Sequence, residues 1–349
     1  MSHGSSRSAD PVRSDTGLVY ARRATGDLLL DLHRPSAADR PVPVVLWLHG
    51  GGWFTGDRTL APDLAHHVRA TGFAYASIEY RLSGQALFPA QLHDVRAAIR
   101  FLRARAGQYG LDPGAVGAWG ASAGGHLAAL VGLTGHLADL PGEEETGGDP
   151  SVRAVAESYG PVDLAAVAAE AARAGRDPAS SPEARLLGGP PSERAELARY
   201  ANPLTWVSPA APPFQISHGT GDDLVSHTQS ERLHEALAAV GVPSDLYLLD
   251  GYRHGFLNPA GRLDVRTAAL MDDGRLAAEG RAPAAHHGVS GPGSGPGAGT
   301  KAVPGRPVSF GFDDIDAFFR RHLAPGAADR SPDRPAADPR PRSTSGEPR

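Results

Sequence analysis

Six apolar runs recur along the chain with room for a helix between most of them: PVVLWLHG (43–50), FAYASIEY (73–80), AVGAW (115–119), VRAVAESYG (152–160), PPFQISHG (212–219) and SDLYLLDG (244–251). Each reads as a strand buried on both faces. Between them, residues 89–110 place Leu92, Val95, Ile99 and Leu102 on one helical stripe, and residues 226–241 open on Ser226 as a candidate cap and stop at Gly241. Strands joined by crossover-length helices pair in parallel and need cover on both faces, so the spacing predicts an α/β fold around a mostly parallel central sheet. The stretch LVYARRATGDLLLDLHRP (18–35) differs: it reads as an antiparallel hairpin at one edge, turning at Thr25-Gly26-Asp27. There is no internal repeat.

Composition sets the limits of that domain. At 349 residues and 41% hydrophobic, the chain can bury the core of one large α/β domain or of two small ones. Residues 1–16 and 325–349 are rich in Ser, Arg, Asp and Pro with few apolar side chains, and read as disordered tails around a domain at 17–324. The Gly/Pro-rich run near 273–306 has no hydrophobic period and is expected to be a flexible insertion. It interrupts the domain, because Phe312, Ile315, Phe318, Phe319 and Leu323 follow at amphipathic helical spacing. Segments near 131–150 and 165–200, rich in Ala, Gly and Pro, are expected to form a small cap.

Other function classes fall away on charge and residue usage. The net charge is −5 and the basic residues are scattered, which argues against nucleic acid or an anionic membrane as partner. With no cysteine, disulfides, zinc–thiolate sites and a thiol nucleophile are excluded. No stretch approaches the roughly 18 apolar residues of a membrane helix, and the N-terminus lacks an apolar targeting core, so the expectation is a soluble, cytoplasmic protein whose oligomeric state is left open. The pairs His66-His67 and His286-His287 have no accompanying carboxylate cluster and read as solvated surface, so neither a metal nor any other cofactor is expected.

In an open α/β sheet, ligands bind beyond the carboxyl ends of the strands, and the chemistry-bearing residues stand there. After the first apolar run comes His49-Gly50-Gly51-Gly52-Trp53; after the third, Gly120-Ala121-Ser122-Ala123-Gly124. After the fifth comes His218-Gly219-Thr220-Gly221-Asp222-Asp223, and after the sixth Tyr252-Arg253-His254-Gly255-Phe256. A serine, an acid and a histidine thus follow one another in the chain order of the α/β-hydrolase arrangement. A serine hydroxyl becomes a competent nucleophile when a histidine accepts its proton, and the histidine needs a carboxylate to hold its tautomer. Attack on an acyl carbon puts negative charge on the carbonyl oxygen, which backbone N–H groups must meet. The amides of Gly50, Gly51 and Ala123 are suited to that oxyanion hole.

Each residue also has a plainer reading. Ser122 could be only a helix cap between small residues. Asp223 competes with Asp222, as the acid itself or as a charge near a helix start. His49 and His218 beside glycines suit backbone-bonding roles, Trp53 and Phe54 a pocket wall, and Arg81 an ion pair beneath the site. The glycines of HGGGW lack the Lys-Ser/Thr of a phosphate-binding loop.

The strings HGGGW (49–53), YRLSGQALFPAQLHDVRAAIRFL (80–102), GASAGGHLAAL (120–130), SYGPVDL (158–164), SPAAPPFQISHGTGDD (208–223) and GYRHGF (251–256) resemble those of α/β-hydrolase esterases related to hormone-sensitive lipase, within them the bacterial carboxylesterase and feruloyl-esterase-like branch. The resemblance covers about residues 18–257 and the last helix. It implies an α/β-hydrolase fold, with Ser122 as nucleophile, Asp222 as acid in the HGxxD position and His254 as base. It also implies a small-molecule ester substrate, cleaved through an acyl-enzyme. Two departures stand out: Ser226 where such proteins usually carry Pro, and the long insertion between His254 and the final helix. An arylformamidase or small peptidase would use the same residues, and a non-catalytic ligand-binding member of the fold is the reading from another class.

Overall fold

The computed structural model describes residues 11–261, 268–289 and 305–324. Its centre is a ten-stranded sheet in the order β1-β2-β4-β3-β5-β6-β7-β8-β9-β10. The inner strands are β3 (Val42–Leu48), β4 (Ala74–Ile78), β5 (Leu111–Ala121), β6 (Ala154–Ser158), β7 (Phe214–Gly219) and β8 (Ser244–Leu249), all parallel to their neighbours within this group. Antiparallel strands close both sides: β1 (Val12–Arg23) with β2 (Gly26–Pro35), and β9 (Arg281–Val289) with β10 (Arg306–Gly311).

Alternate residues of each inner strand face opposite layers, which is why the runs are apolar throughout. Val44, Leu46 and Leu48 of β3 enter one core with α2 (Ala90–Ala104), α4 (Ala123–Thr134) and α8 (Thr228–Ala239), after α3 (Ala106–Tyr109) has ended the α2 arm. Val45 and Trp47 enter the other with α1 (Leu64–Thr71) and α10 (Phe312–Leu323). The predicted stripe of Leu92, Val95, Ile99 and Leu102 is buried, as are Ile315, Phe318, Phe319 and Leu323. Between β6 and β7 lie α5 (Leu164–Arg173), α6 (Pro182–Leu187) and α7 (Ala195–Tyr200), and α9 (Arg275–Glu279) precedes β9.

Four expectations change. Residues 12–16, expected in the N-terminal tail, belong to β1: the ladder pairs Val12 with Pro35 and Asp15 with Leu32, and Arg34 forms an ion pair with Asp15 at 3.0 Å. Paired backbone and charge hold this polar stretch where apolar content could not. Residues 273–289, expected in the flexible insertion, form α9 and β9; Ala282 and Ala284 turn inward at a period of two and are too small to register as a hydrophobic run. The part of that insertion at 290–304 lies outside the described residues, as do 1–10 and 325–349 of the tails.

The third correction concerns the cap. Residues 131–134 are the last turn of α4, and 137–149 are clasped along α2: Arg96 bonds the carbonyls of Leu137 and Ala138, Arg96 and Arg100 share Glu143, and Arg103 bonds the carbonyl of Asp149. Three arginines at helical spacing explain why this segment stays down on the helix. The fourth is His67, expected at the surface, which is buried and bonds Asp316 at 2.7 Å, tying α1 to α10.

Candidate active site

The carboxyl ends of β3, β5, β7 and β8 bring the predicted residues together. Ser122 joins β5 to α4 with φ 56° and ψ −123°, a left-handed backbone that a non-glycine residue adopts only when its surroundings impose it. Its amide bonds the carbonyl of Ser158 at 2.9 Å, and its carbonyl accepts the first helical bond from His126. The turn lifts Oγ off the sheet. With the histidine proton on Nδ1, Ser122 Oγ–H donates to His254 Nε2 at 2.8 Å and His254 Nδ1–H donates to Asp222 Oδ2 at 2.6 Å.

Asp222 is buried and fully engaged. Its Oδ1 accepts from the amides of Leu224 and Val225, both at 2.9 Å, and Oδ2 faces His254 and His218 Nε2, the latter at 3.2 Å. Burial by itself raises a carboxyl pKa, but His254 and His218 outweigh it and hold Asp222 well below the usual carboxylate range. Asp223 is exposed; its carbonyl accepts from Arg176.

The glycine loop after β3 lies directly beside the serine. A β-carbon on Gly50 would stand 3.2 Å from Ser122 Cβ. Gly51 has φ 106° and its carbonyl receives the amides of Phe54 and Thr55 at 3.1 Å each, closing the loop on itself. Among the described residues the amides of Gly50, Gly51 and Ala123 donate to no acceptor. Behind them His49 stacks on Tyr80 at 4.3 Å and bonds the Gly50 carbonyl at 2.7 Å; burial pushes it down to about 4, so it stays neutral and structural.

The aromatic pair after the glycines divides. Trp53, expected at the pocket wall, is 1% exposed and packs edge-on against His126 at 5.1 Å, backing the loop from inside. Phe54 is 40% exposed, with the Arg185 guanidinium of α6 over its ring at 4.7 Å. A β-carbon on Gly52 would come within 3.2 Å of Pro182, so α6 sits against the glycine loop, and Arg176 reaches the loop of Asp222 and Asp223. Arg81 pairs with Asp94 at 2.8 Å, in the role expected of it.

A family model described as BD-FAE matches residues 30–237, more than half of the chain. The chain belongs to the BD-FAE family. Among curated relatives it is 33% identical to Esterase LipC of Mycobacterium tuberculosis over 240 residues, covering 65% of this chain and 57% of LipC. It is 34% identical to Esterase LipQ of the same organism over 233 residues, covering 65% and 54%. The chain thus spans a little over half the length of these two esterases. Among solved structures it is similar to a truncated form of a carbohydrate esterase from gut microbiota, at 29% identity and a TM-score of 0.62, covering 70% of this chain and 90% of that one. The fold is that of the α/β-hydrolases.

Sequence reasoning missed several residues of this BD-FAE chain that pack on the site. Tyr159, with φ 41°, sets its buried ring edge-on to His254 at 4.9 Å. Asp272 donates its amide to the His254 carbonyl and accepts the Arg253 amide, both at 2.8 Å. The acidic pair Asp272-Asp273 stood in a segment read as loop; a carboxylate pair just ahead of a glycine was the available signal. Among the described residues no group of His, Asp and Glu could hold a metal ion, and no helix is long and apolar enough to cross a membrane.

Proposed function

We propose that this protein is a serine esterase that cleaves carboxylic esters of small or short-acyl substrates through an acyl-enzyme. The observation that carries the reading is the unbroken chain from Ser122 Oγ through His254 to Asp222, at 2.8 and 2.6 Å, beside amides without acceptors. Ser122 Oγ attacks the acyl carbon while His254 Nε2 takes its proton. The carbonyl electron pair moves onto oxygen, where the amides of Gly50, Gly51 and Ala123 meet it. Collapse of the intermediate expels the alcohol with the proton from His254, and water, deprotonated by the same nitrogen, releases the acid. Asp222 stays ionised throughout and holds the imidazolium. The esterase names of LipC and LipQ agree with this reading, and the carbohydrate-esterase neighbour adds carbohydrate esters to the substrates worth testing.

A fluorophosphonate probe and a series of p-nitrophenyl esters of graded acyl length test it. Wild-type protein is expected to label once and to hydrolyse the shortest esters fastest. Ser122→Ala is expected to keep its circular dichroism and lose both. Labelling that persists in Ser122→Ala refutes the assignment.

A further inference from the structure

Behind the acid, a row of buried polar side chains leads away from the site. His218, on β7, points Nε2 at two groups that only accept, the Val225 carbonyl at 2.9 Å and Asp222 Oδ2 at 3.2 Å. That nitrogen must therefore carry a hydrogen. On the other side of the ring, Nδ1 is 2.7 Å from Ser230 Oγ of α8. In neutral His218 this nitrogen accepts, so Ser230 donates. Glu157, at the end of β6, stands next to Ser230; its Oε1 accepts the Gly160 amide, and Oε2 makes no hydrogen bond among the described residues.

His218, Ser230 and Glu157 are each fully buried. Burial pushes the Glu157 carboxyl up to about 8, against the weaker pull of the Gly160 amide and Ser230, so at neutral pH it carries a proton. A protonated Glu157 turns an O–H toward the lone pairs of Ser230. The hydrogens then run one way, from Glu157 through Ser230 to His218 and on to Asp222; in the alternative tautomer Nδ1–H could still donate to Ser230, but Nε2 would turn a lone pair on two groups that only accept. Room for the carboxyl is left by Gly125 and Gly160, where a β-carbon would come within 2.9 and 2.5 Å of Oε1.

We propose that His218 is a positioning residue of the reaction: held in one tautomer by Ser230 and Glu157, it donates to Asp222 and keeps that carboxylate ionised and aimed at His254. The inference rests on the reading of Ser122, His254 and Asp222 as a triad. The titratable groups that face this row are His254, Tyr159 and Asp222 itself, with Asp273 acting on His254 from the other side.

The test compares His218→Leu, His218→Gln and Ser230→Ala. Leucine removes the donor; glutamine can present an amide N–H near the same place. His218→Leu is expected to lower kcat about tenfold to a hundredfold, the range for losing one charge-assisted hydrogen bond, with KM within about threefold. The acid limb of kcat/KM is expected to move to higher pH, because a carboxylate that lacks the His218 N–H holds the proton on His254 more strongly. Glutamine is expected to restore both readouts to near wild type. If His218→Leu does not fold, Ser230→Ala carries the test, with a smaller kcat loss and the same direction of shift. A kcat loss with an unmoved acid limb, or equal losses in the leucine and glutamine variants, overturns the proposal. Failure of the triad reading would look different: wild-type protein would take up no fluorophosphonate at Ser122.

Discussion

A β-carbon on Gly120 would stand 2.1 Å from the carbonyl oxygen of Gly124. One on Gly124 would stand 2.0 Å from the carbonyl oxygen of Leu48. The two glycines that flank Ser122 are thus required by backbone on both sides: the first lets α4 fold back across the end of β5, and the second lets α4 pass the end of β3. Neither obstacle is a side chain that can rotate away. Gly120→Ala and Gly124→Ala are each expected to cost about 1–3 kcal/mol or more, as overpacking against rigid atoms does. Urea denaturation and fluorophosphonate labelling check this; wild-type midpoint and labelling rate in Gly124→Ala would contradict it.

The acid is distinguished from its neighbour by what each touches. Asp222→Asn replaces an acceptor at His254 Nδ1 with a group that can turn an N–H toward it, which favours the wrong tautomer of the histidine. The expected loss in kcat is about 10⁴-fold. Asp223→Asn, at an exposed side chain, is expected to stay within about threefold of wild type. Steady-state kinetics on one short ester decide, and the reverse ranking would transfer the role to Asp223.

The parallel sheet, and the meeting of Ser122, His254 and Asp222 at its carboxyl ends, were legible because each rests on a local signal. Buried parallel strands must be apolar along their whole length, and the residues after them must contain glycine wherever backbone passes backbone at near-contact distance, as at Gly120 and Gly124. What the sequence hid depends on contacts between distant segments. Ala282 and Ala284 of β9 are inward-facing but small, so their period was lost among Gly and Pro. Asp272 holds His254 from 18 positions downstream, and Glu157 and His218 meet through Ser230, so nothing in the local pattern of any one of them announces the others. The clasp of 137–149 on α2 was hidden for the same reason: the apolar stripe of the helix says nothing of where its arginines reach.

Stability should depend on pH through three buried groups. His49 and His126 are each pushed down to about 4 by burial, below the ordinary 6.5, so the unfolded chain takes up protons first as the pH falls. Their contribution is complete above about 6.5 and is lost between 6.5 and 4. Glu157 is pushed up to about 8 from 4.5, so the unfolded chain loses its proton first; that contribution is complete below about 4.5 and is lost as pH rises through 8. Each group changes stability by up to about 1.4 kcal/mol per pH unit inside its window. The expected urea midpoint is highest near pH 6.5, falling on both sides. Glu157→Gln is expected to flatten the alkaline side and to steepen the fall between pH 6.5 and 4.5, where Glu157 had opposed the histidines; an unchanged slope between pH 6.5 and 8 would contradict the assignment.

The insertion after His254 divides into a part that grips the histidine and a part that does not. Asp272 accepts the Arg253 amide and donates its own amide to the His254 carbonyl, both at 2.8 Å, while its carboxylate pairs with Arg253 and Arg275 at 2.9 Å each. Asp272→Ala leaves the Arg253 amide without its acceptor and releases the turn that sets the imidazole, and small displacements of a reacting group are costly in rate. The expected loss in kcat is about tenfold, with KM little changed and partial recovery in Asp272→Asn. The connection between β9 and β10 is a different matter. The paired register runs from Gly311 and Arg281 to Arg306 and His286, so the hairpin is complete without residues 290–304. Replacing those residues with a short Gly/Ser linker is expected to change stability by only about 1 kcal/mol, because closure entropy grows with the logarithm of loop length. Turnover on short esters is expected to stay within a few-fold. A folded linker variant with collapsed turnover would show that 290–304 contributes to the substrate pocket, and an Asp272→Ala variant with wild-type kcat would show that His254 is held without the segment that follows it.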